Sequence, residues 1–308
     1  MVAKPVLHVS DPVLHEFAAA VGTEGPVAVR GNGTRWEDGG LLAQGTRVIS
    51  APVGIVDHRP AEMTVQVRAG TPVADLERAL AEHGQRCALP QRGGTVGGAI
   101  AVGEDHIEIL GRGRLRDSVL QVRYVSAQGR LVTGGGPVVK NVSGFNLPKL
   151  ITGSLGTLGL IAELVLRTNP IPAESRWVRS EDADPFIVAD VMLRPTAILT
   201  DAITTWVLVE GYGPDVNREL AGLSTIGSFR EVEGPPPLPV HRWSMAPSEL
   251  RSVDRSRTGG FVGSVGVGRV WAERPPPLPT TDPVVHLIAT RMKQNFDPTG
   301  RLNPGRRP

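Results

Sequence analysis

Three glycine-rich runs hold the residues whose types and spacing point to chemistry. The first, Arg30-Gly31-Asn32-Gly33-Thr34-Arg35, directly follows an apolar β-branched run, Val27–Val29. Consecutive small residues let backbone N–H groups converge on one concavity, an anion nest for phosphate oxygens. Trp36 stands where a Rossmann fingerprint needs its third glycine, so the run is not that fingerprint. The second, Pro90–Ile100, brackets Thr95 and Val96 between Gly93-Gly94 and Gly97-Gly98. There the main chain can approach a ligand closely while Thr95 offers a hydroxyl. The third begins at Gly134-Gly135-Gly136 and passes through Lys140, Asn141 and Gly144 to Gly153, Ser154, Gly159 and Ile161. Each run alone also reads as an ordinary strand–turn connection. Three of them before Pro170 imply a long, negatively charged, partly flat ligand.

Other chemistries fall away. A single cysteine, Cys87, excludes an intramolecular disulfide, a Cys-rich zinc site and a self-ligated iron–sulfur cluster. The chain contains no Gly-Lys dipeptide and hence no Walker A loop, no HExxH and no G-x-S-x-G elbow. His106-Ile107-Glu108 resembles half of a zinc-deaminase signature and lacks the cysteine pair that completes it. No metal site is expected. Lys+Arg 33 against Asp+Glu 31 leaves +2, too balanced for a nucleic-acid-binding surface. No apolar stretch approaches the ~18 residues of a membrane span, and the N-terminal residues lack an apolar signal core. The expectation is a cytoplasmic chain with no transmembrane segment and no nucleic-acid partner.

The elements that must position the loops follow from periodicity. At ~150 residues per domain, 308 residues suggest two. Val27–Arg30, Val48–Ile49, Met63–Arg68, Val119–Ser126 and Arg130–Thr133 read as strands. The last two are joined through a glycine turn at Gly129. Val73, Leu76 and Leu80 share one helical face, with Thr71 as N-cap, Pro72 in the first position and Gly84 as the stop. Pro170-Ile171-Pro172 breaks the pattern, which gives domains over 1–171 and 172–283 and a C-terminal segment over 284–308. Within the second domain, Ala197–Thr200, Thr205–Glu210 and Ser228–Val232 read as strands and Pro214–Leu223 as a helix. Phe261–Ala272 reads as irregular between two proline clusters. A last helix near Pro283–Asn295 precedes the tail.

The order of the motifs resembles a known family. RGNGT (30–34), TVGGAIA (95–101), LRDSVL (115–120), KNVSGFNLPKLITGSLGTLGLI (140–161) and FDPTGRLNPGR (296–306) are similar to the FAD-linked oxidases typified by vanillyl-alcohol oxidase and p-cresol methylhydroxylase. Within that family they are most similar to the FAD-binding subunits of bacterial glycolate oxidases. The resemblance covers residues 20–172 and 284–306. It implies an α+β, non-Rossmann FAD-binding domain followed by a short α+β cap, with noncovalent FAD.

It also implies site residues. Gly31, Asn32, Gly33, Thr34, Thr95, Val96, Gly97 and Gly98 would hold the diphosphate. Gly159 and Ile161 would lie by the adenosine half, and Lys140, Asn141 and Gly144 toward the flavin, with Pro90, Gly153 and Ser154 also among the cofactor-binding residues. The implied activity is oxidation of a small 2-hydroxy acid within a complex that includes a second flavoprotein subunit and an iron–sulfur subunit. Membrane association would come only through those partners. The alternative is a non-catalytic flavin-binding or structural subunit supporting a partner flavoprotein. The chain departs from the pattern between Ala101 and Arg112, where a glycine-rich stretch is replaced by one holding Glu104, Asp105, His106 and Glu108. Oxidising a 2-hydroxy acid needs a cation for the carboxylate and a base for the hydroxyl proton. In the cap only His241-Arg242 offers both side by side, and such a pair beside Trp243 also reads as an ordinary surface feature.

Overall fold

A computed structural model of the chain describes residues 11–90, 92–136, 146–277 and 282–307. They divide into two units. Met1–Asp105, Leu115–Asn169 and Asp282–Pro308 make unit 1, and His106–Arg114 with Pro170–Thr281 makes unit 2.

Unit 1 opens with the helix Pro12–Val21, capped by Asp11, which accepts from the N–H groups of Val13 and Leu14. Leu14, Phe17 and Val21 recur at helical spacing and are buried. Strands β1 (Val27–Val29) and β2 (Arg47–Ile49) pair in parallel, and Leu302 from the tail bridges to Val27. The larger sheet contains β3 (Ile55–Arg59), β4 (Thr64–Arg68), β5 (Gln85–Cys87), β6 (Val119–Val125), β7 (Leu131–Gly135) and β8 (Leu160–Pro170). Its order is β3-β4-β8-β6-β7, with β5 also paired to β8. Strand β8 is therefore central, and its first seven residues are buried. All but one are apolar, the composition of a strand covered on both faces. The exception, Glu163, is matched by Arg68 Nη1 at 3.0 Å, Arg123 Nη1 at 3.0 Å and Gln66 Nε2 at 2.6 Å.

The helix Val73–Ala81 buries Val73, Leu76 and Leu80. Thr71 does not cap it. Pro72 occupies the cap position, and the Thr71 hydroxyl instead accepts from the N–H of Gly54 at 2.9 Å, tying the helix start to the entry of β3. After the helix Pro283–Phe296, the tail is locked by Arg301. Its guanidinium donates to the carbonyls of Val21, Gly22, Glu24, Gly25 and Ala127 at 2.8–3.1 Å. Asp297 accepts from the N–H groups of Arg301 and Leu302 and from Lys293 Nζ.

Unit 2 is a seven-stranded antiparallel sheet. Its strands are β9 (Glu174–Ser180), β10 (Ala197–Thr200), β11 (Thr205–Gly211), β12 (Arg230–Val232), β13 (His241–Ser244), β14 (Phe261–Ser264) and β15 (Arg269–Ala272). They lie in the order β12-β9-β11-β10-β14-β15-β13. Two corrections to the sequence reading arise here. Phe261–Ala272 is a strand pair rather than irregular, with Gly266 and Gly268 in the left-handed region where the chain turns between β14 and β15. Residues 106–114 group with this sheet instead of an unbroken 1–171 domain. Ile107 is buried among Leu199, Trp206, Val262 and Trp271, and the N–H of Gly111 donates to the Thr196 carbonyl at 3.2 Å.

Candidate functional site

A cleft of about 830 Å³, including its open mouth, lies in unit 1. It is lined by all three glycine regions, by Ala69-Gly70 after β4 and by the tail residues Asn303 and Arg306.

The first loop leaves β1 and bends over one side of the cleft, with Gly33 at φ +78°. The N–H groups of Gly31, Asn32, Gly33, Thr34 and Arg35 have no acceptor among the described residues. Five successive free amides on a cleft-lining loop are suited to an anion. Trp36 closes the loop, with the guanidinium of Arg30 5.0 Å from its ring centre and that of Arg306 4.9 Å away. Burial pulls Arg306 below the ordinary arginine value, while Glu37 and Asp38 push it back.

The second loop works differently from the sequence expectation. The Thr95 hydroxyl caps the short helix Val96–Val102 by accepting from the N–H of Gly98 at 3.2 Å. The N–H of Val96 donates to the Thr71 carbonyl at 2.9 Å and that of Gly97 to the Ala69 carbonyl at 2.7 Å. These three amides are already used. The glycines here serve close packing: a Cβ on Gly31 would lie 2.4 Å from Thr95 Oγ1, and one on Gly70 would lie 2.3 Å from the Ala51 carbonyl. Gly31, Gly70 and Gly97 thus let three chain segments meet around the cleft without side chains between them.

Of the residues singled out from sequence, Gly31, Asn32, Gly33, Thr34, Thr95, Gly97, Gly98 and Ile161 line the cleft. Pro90 and Val96 are buried outside its lining. So is Ser154, and Gly153 lies beside it. Gly159 faces the protein interior, where an added Cβ would lie 2.2 Å from Tyr124 Cδ2. Lys140, Asn141 and Gly144 lie outside the described residues.

Sequence reasoning missed Arg35, Trp36, Gly70, Leu155, Gly156 and Arg306 as lining residues. The available signal was adjacency, since Arg35 and Trp36 continue the first loop and Gly156 stands two residues after Ser154. Asn303, in the Asn-Pro-Gly turn, holds φ +43° and donates from Nδ2 to the Leu155 carbonyl at 2.7 Å.

In unit 2, His241 and Arg242 are consecutive on β13, an edge strand of the sheet, paired with Ala272 and Trp271 of β15. Consecutive strand residues point to opposite faces, so the pair does not converge on one substrate. Cys87 is buried in the unit 1 core. Burial, with Glu77 adding to it, pushes its thiol up to about 12. Among the described residues no cluster of His, Cys, Asp or Glu could hold a metal ion, and no helix is long and apolar enough to cross a membrane.

Comparison with known proteins agrees with an elongated polyanionic ligand. Residues 11–135 match the family profile described as FAD binding domain. The chain is 26% identical to the glycolate oxidase subunit GlcE of Escherichia coli (strain K12), over 96% of this chain and 97% of that protein. It is 29% identical to the glycolate oxidase subunit GlcD of Bacillus subtilis, over 68% of this chain and 48% of that one. A D-lactate dehydrogenase of Archaeoglobus fulgidus is 33% identical over 47% of this chain, which spans only 33% of that protein. Among solved structures, an alkyldihydroxyacetonephosphate synthase superposes with TM-score 0.68 at 14% identity, covering 97% of this chain and 75% of the synthase. That likeness speaks for the fold alone.

Proposed function

Because the chain carries the FAD-binding domain of the FAD-linked oxidases and its cofactor is FAD, we propose that it is the FAD-binding subunit of a 2-hydroxy-acid oxidoreductase of the glycolate oxidase type. The single observation that carries this reading is the run of five acceptor-free amides, Gly31–Arg35, on a cleft whose floor admits no side chain at Gly97 or Gly70. That cradle fits the diphosphate of a dinucleotide.

In this reading the Gly31–Arg35 amides hold the diphosphate, and Leu160 and Ile161 supply an apolar wall for a ring system. Asn303 holds the Leu155 turn that borders the same cleft. Lys140, Asn141 and Gly144 keep the flavin-side role that the resemblance implies. When bound, FAD supplies a two-electron acceptor for the substrate carbon. The flavin is held noncovalently in this reading: Cys87 is buried with its thiol protonated, and among the described residues no histidine, cysteine or tyrosine lines the cleft.

Similarity to GlcE along nearly the whole chain supports glycolate or a related small 2-hydroxy acid as substrate. Electrons leaving the flavin need a carrier, and one cysteine cannot ligate a cluster. A second flavoprotein subunit, of the kind the GlcD similarity suggests, and an iron–sulfur subunit are the proposed partners. They would also bring the chain to a membrane. A second reading is a flavin-binding subunit without its own turnover, favoured by the divergence of His241 and Arg242 on β13. The test is turnover of glycolate and D-lactate with an acceptor dye, by the purified chain and by the chain coexpressed with partner subunits. Activity that appears only with partners supports the complex. Robust turnover by the single chain removes the need for it. A chain that cannot be reconstituted with FAD overturns the whole reading.

A further inference from the structure

Among the described residues, Arg35 is the one cleft-lining cation that is itself buried, at 8% exposure. Its guanidinium is held on two sides. Nε donates to Glu104 Oε2 in a short contact, and Nη1 donates to the Gly93 carbonyl at 2.6 Å. Its third nitrogen, Nη2, is buried and has no acceptor among the described residues. A buried donor without an acceptor is costly and is found where a ligand, a water or strain accounts for it. The surroundings leave little room for a protein acceptor. A Cβ on Gly94 would already lie 2.7 Å from Arg35 Nη1. Glu104, 6% exposed, does not line the cleft. It stands behind Arg35, with Arg92 Nη1 3.9 Å from its other oxygen.

We infer that Arg35 is a side-chain ligand of the dinucleotide phosphates, held in reserve by Glu104. The inference rests on the reading of the cleft as an FAD site. Without a ligand, Glu104 supplies the counter-charge that a buried guanidinium requires. A phosphate oxygen entering over the Gly31–Arg35 amides offers Nη2 its missing acceptor and a second negative charge. Because Nη2 is covered by protein, the guanidinium shifts to meet that oxygen, and Glu104 is the group against which it shifts. Glu104 is thus a positioning residue and a competitor at once. It orients the fork through Nε and tempers its attraction for phosphate.

This gives two substitutions with opposite signs. Arg35→Met removes the ligand. Glu104→Gln keeps an oxygen to accept from Nε while removing the charge, so the empty cleft is destabilised and phosphate becomes the better counter-ion.

The experiment uses the full chain stripped of flavin and measures dissociation constants for FAD, ADP and riboflavin at low and moderate salt, with melting temperatures alongside. Arg35→Met is expected to weaken FAD and ADP alike, by roughly 10- to 100-fold, the value of a charged hydrogen bond. Riboflavin, which has no phosphate, is expected to be unaffected. Glu104→Gln is expected to lower the melting temperature of the flavin-free chain. It should tighten ADP and FAD by roughly tenfold, the size of a typical coupling, with a steeper salt dependence. Unchanged FAD and ADP affinity in Arg35→Met overturns the inference and leaves the FAD reading standing. Weaker or unchanged ADP binding in Glu104→Gln overturns it too, and that variant decides alone if Arg35→Met does not fold. A wild-type chain that binds neither FAD nor ADP overturns the function reading itself.

Discussion

Gly97 and Ala69 meet backbone to backbone: the N–H of Gly97 donates to the Ala69 carbonyl at 2.7 Å, and a Cβ on Gly97 would lie 2.8 Å from that same oxygen. The contact joins the helix Val96–Val102 to the end of β4 at the floor of the cleft. Its neighbours on both sides are backbone or buried side chains, which cannot give way cheaply.

Gly97→Ala is therefore expected to cost about 1–3 kcal/mol of stability, the range for overpacking. Flavin affinity should fall with it, because the floor of the cleft moves. Thermal melting of the flavin-free protein checks this. A melting temperature equal to wild type with FAD binding lost would assign Gly97 to ligand approach instead of packing.

Gly159→Ala tests a contact outside the cleft. The added Cβ would lie 2.2 Å from Tyr124 Cδ2 and 2.8 Å from Cε2, with Tyr124 itself buried. A destabilisation of about 1–3 kcal/mol is expected. Tyr124→Leu in the same chain should recover part of it, a coupling that a double-mutant cycle reads directly.

Arg301 ties the tail to two separate stretches of unit 1, residues 21–25 and Ala127, through five carbonyls. Arg301→Met is expected to lose about 3 kcal/mol, since two buried and three part-buried carbonyls lose charged donors together. Arg301→Lys should recover little, because an ammonium cannot reproduce the planar fork. Denaturant melts of both variants settle the point.

Asp11 predicts an acid dependence. Burial pushes its carboxyl up, but the hydrogen bond and charge of Arg68 and the N–H groups of Leu14 and Val13 outweigh this and hold it below the ordinary carboxylate value. A group whose value is depressed on folding contributes stability above its unfolded value, about 3.9, and loses it as pH falls through the folded one. The stability difference between wild type and Asp11→Asn should be flat from pH 6 to 8. It should shrink as pH drops below about 4.

Cys87, with its thiol pushed up to about 12 by burial first and Glu77 second, is expected to resist alkylating reagents at pH 8 in the folded chain. It should react promptly in denaturant. Flavin should appear in the supernatant after acid precipitation, with the polypeptide colourless. Flavin retained on the denatured chain would show a covalent link.

Much of this was legible from residue order. The helix Val73–Ala81 and the strands β10 and β11 follow from periods of 3.6 and 2, which are local properties. The glycine loops by their spacing imply a long, negatively charged ligand, which only the resemblance of their order to the FAD-linked oxidases names as FAD. What the sequence alone could not decide is where each backbone amide goes. Gly31–Arg35 and Val96–Gly98 look alike as glycine-rich turns. Contacts with Thr71 and Ala69, together with the Thr95 cap on Gly98, consume the second set, while the first stays free among the described residues. The same holds for Phe261–Ala272, whose glycines suggest a loop. Gly263 sits inside β14 because the Leu250 side chain fills the space where its Cβ would be, 2.2 Å away. His241 and Arg242 are adjacent in sequence and divergent on a strand. Residues 106–114 follow the second loop directly and yet bury Ile107 in the other unit. The spacing of small residues pointed to an elongated anionic ligand, and the order of the motifs to the family that binds it. Long-range packing decided which groups face the ligand, because a hydrogen bond or a covered Cβ depends on a neighbour that lies far along the chain.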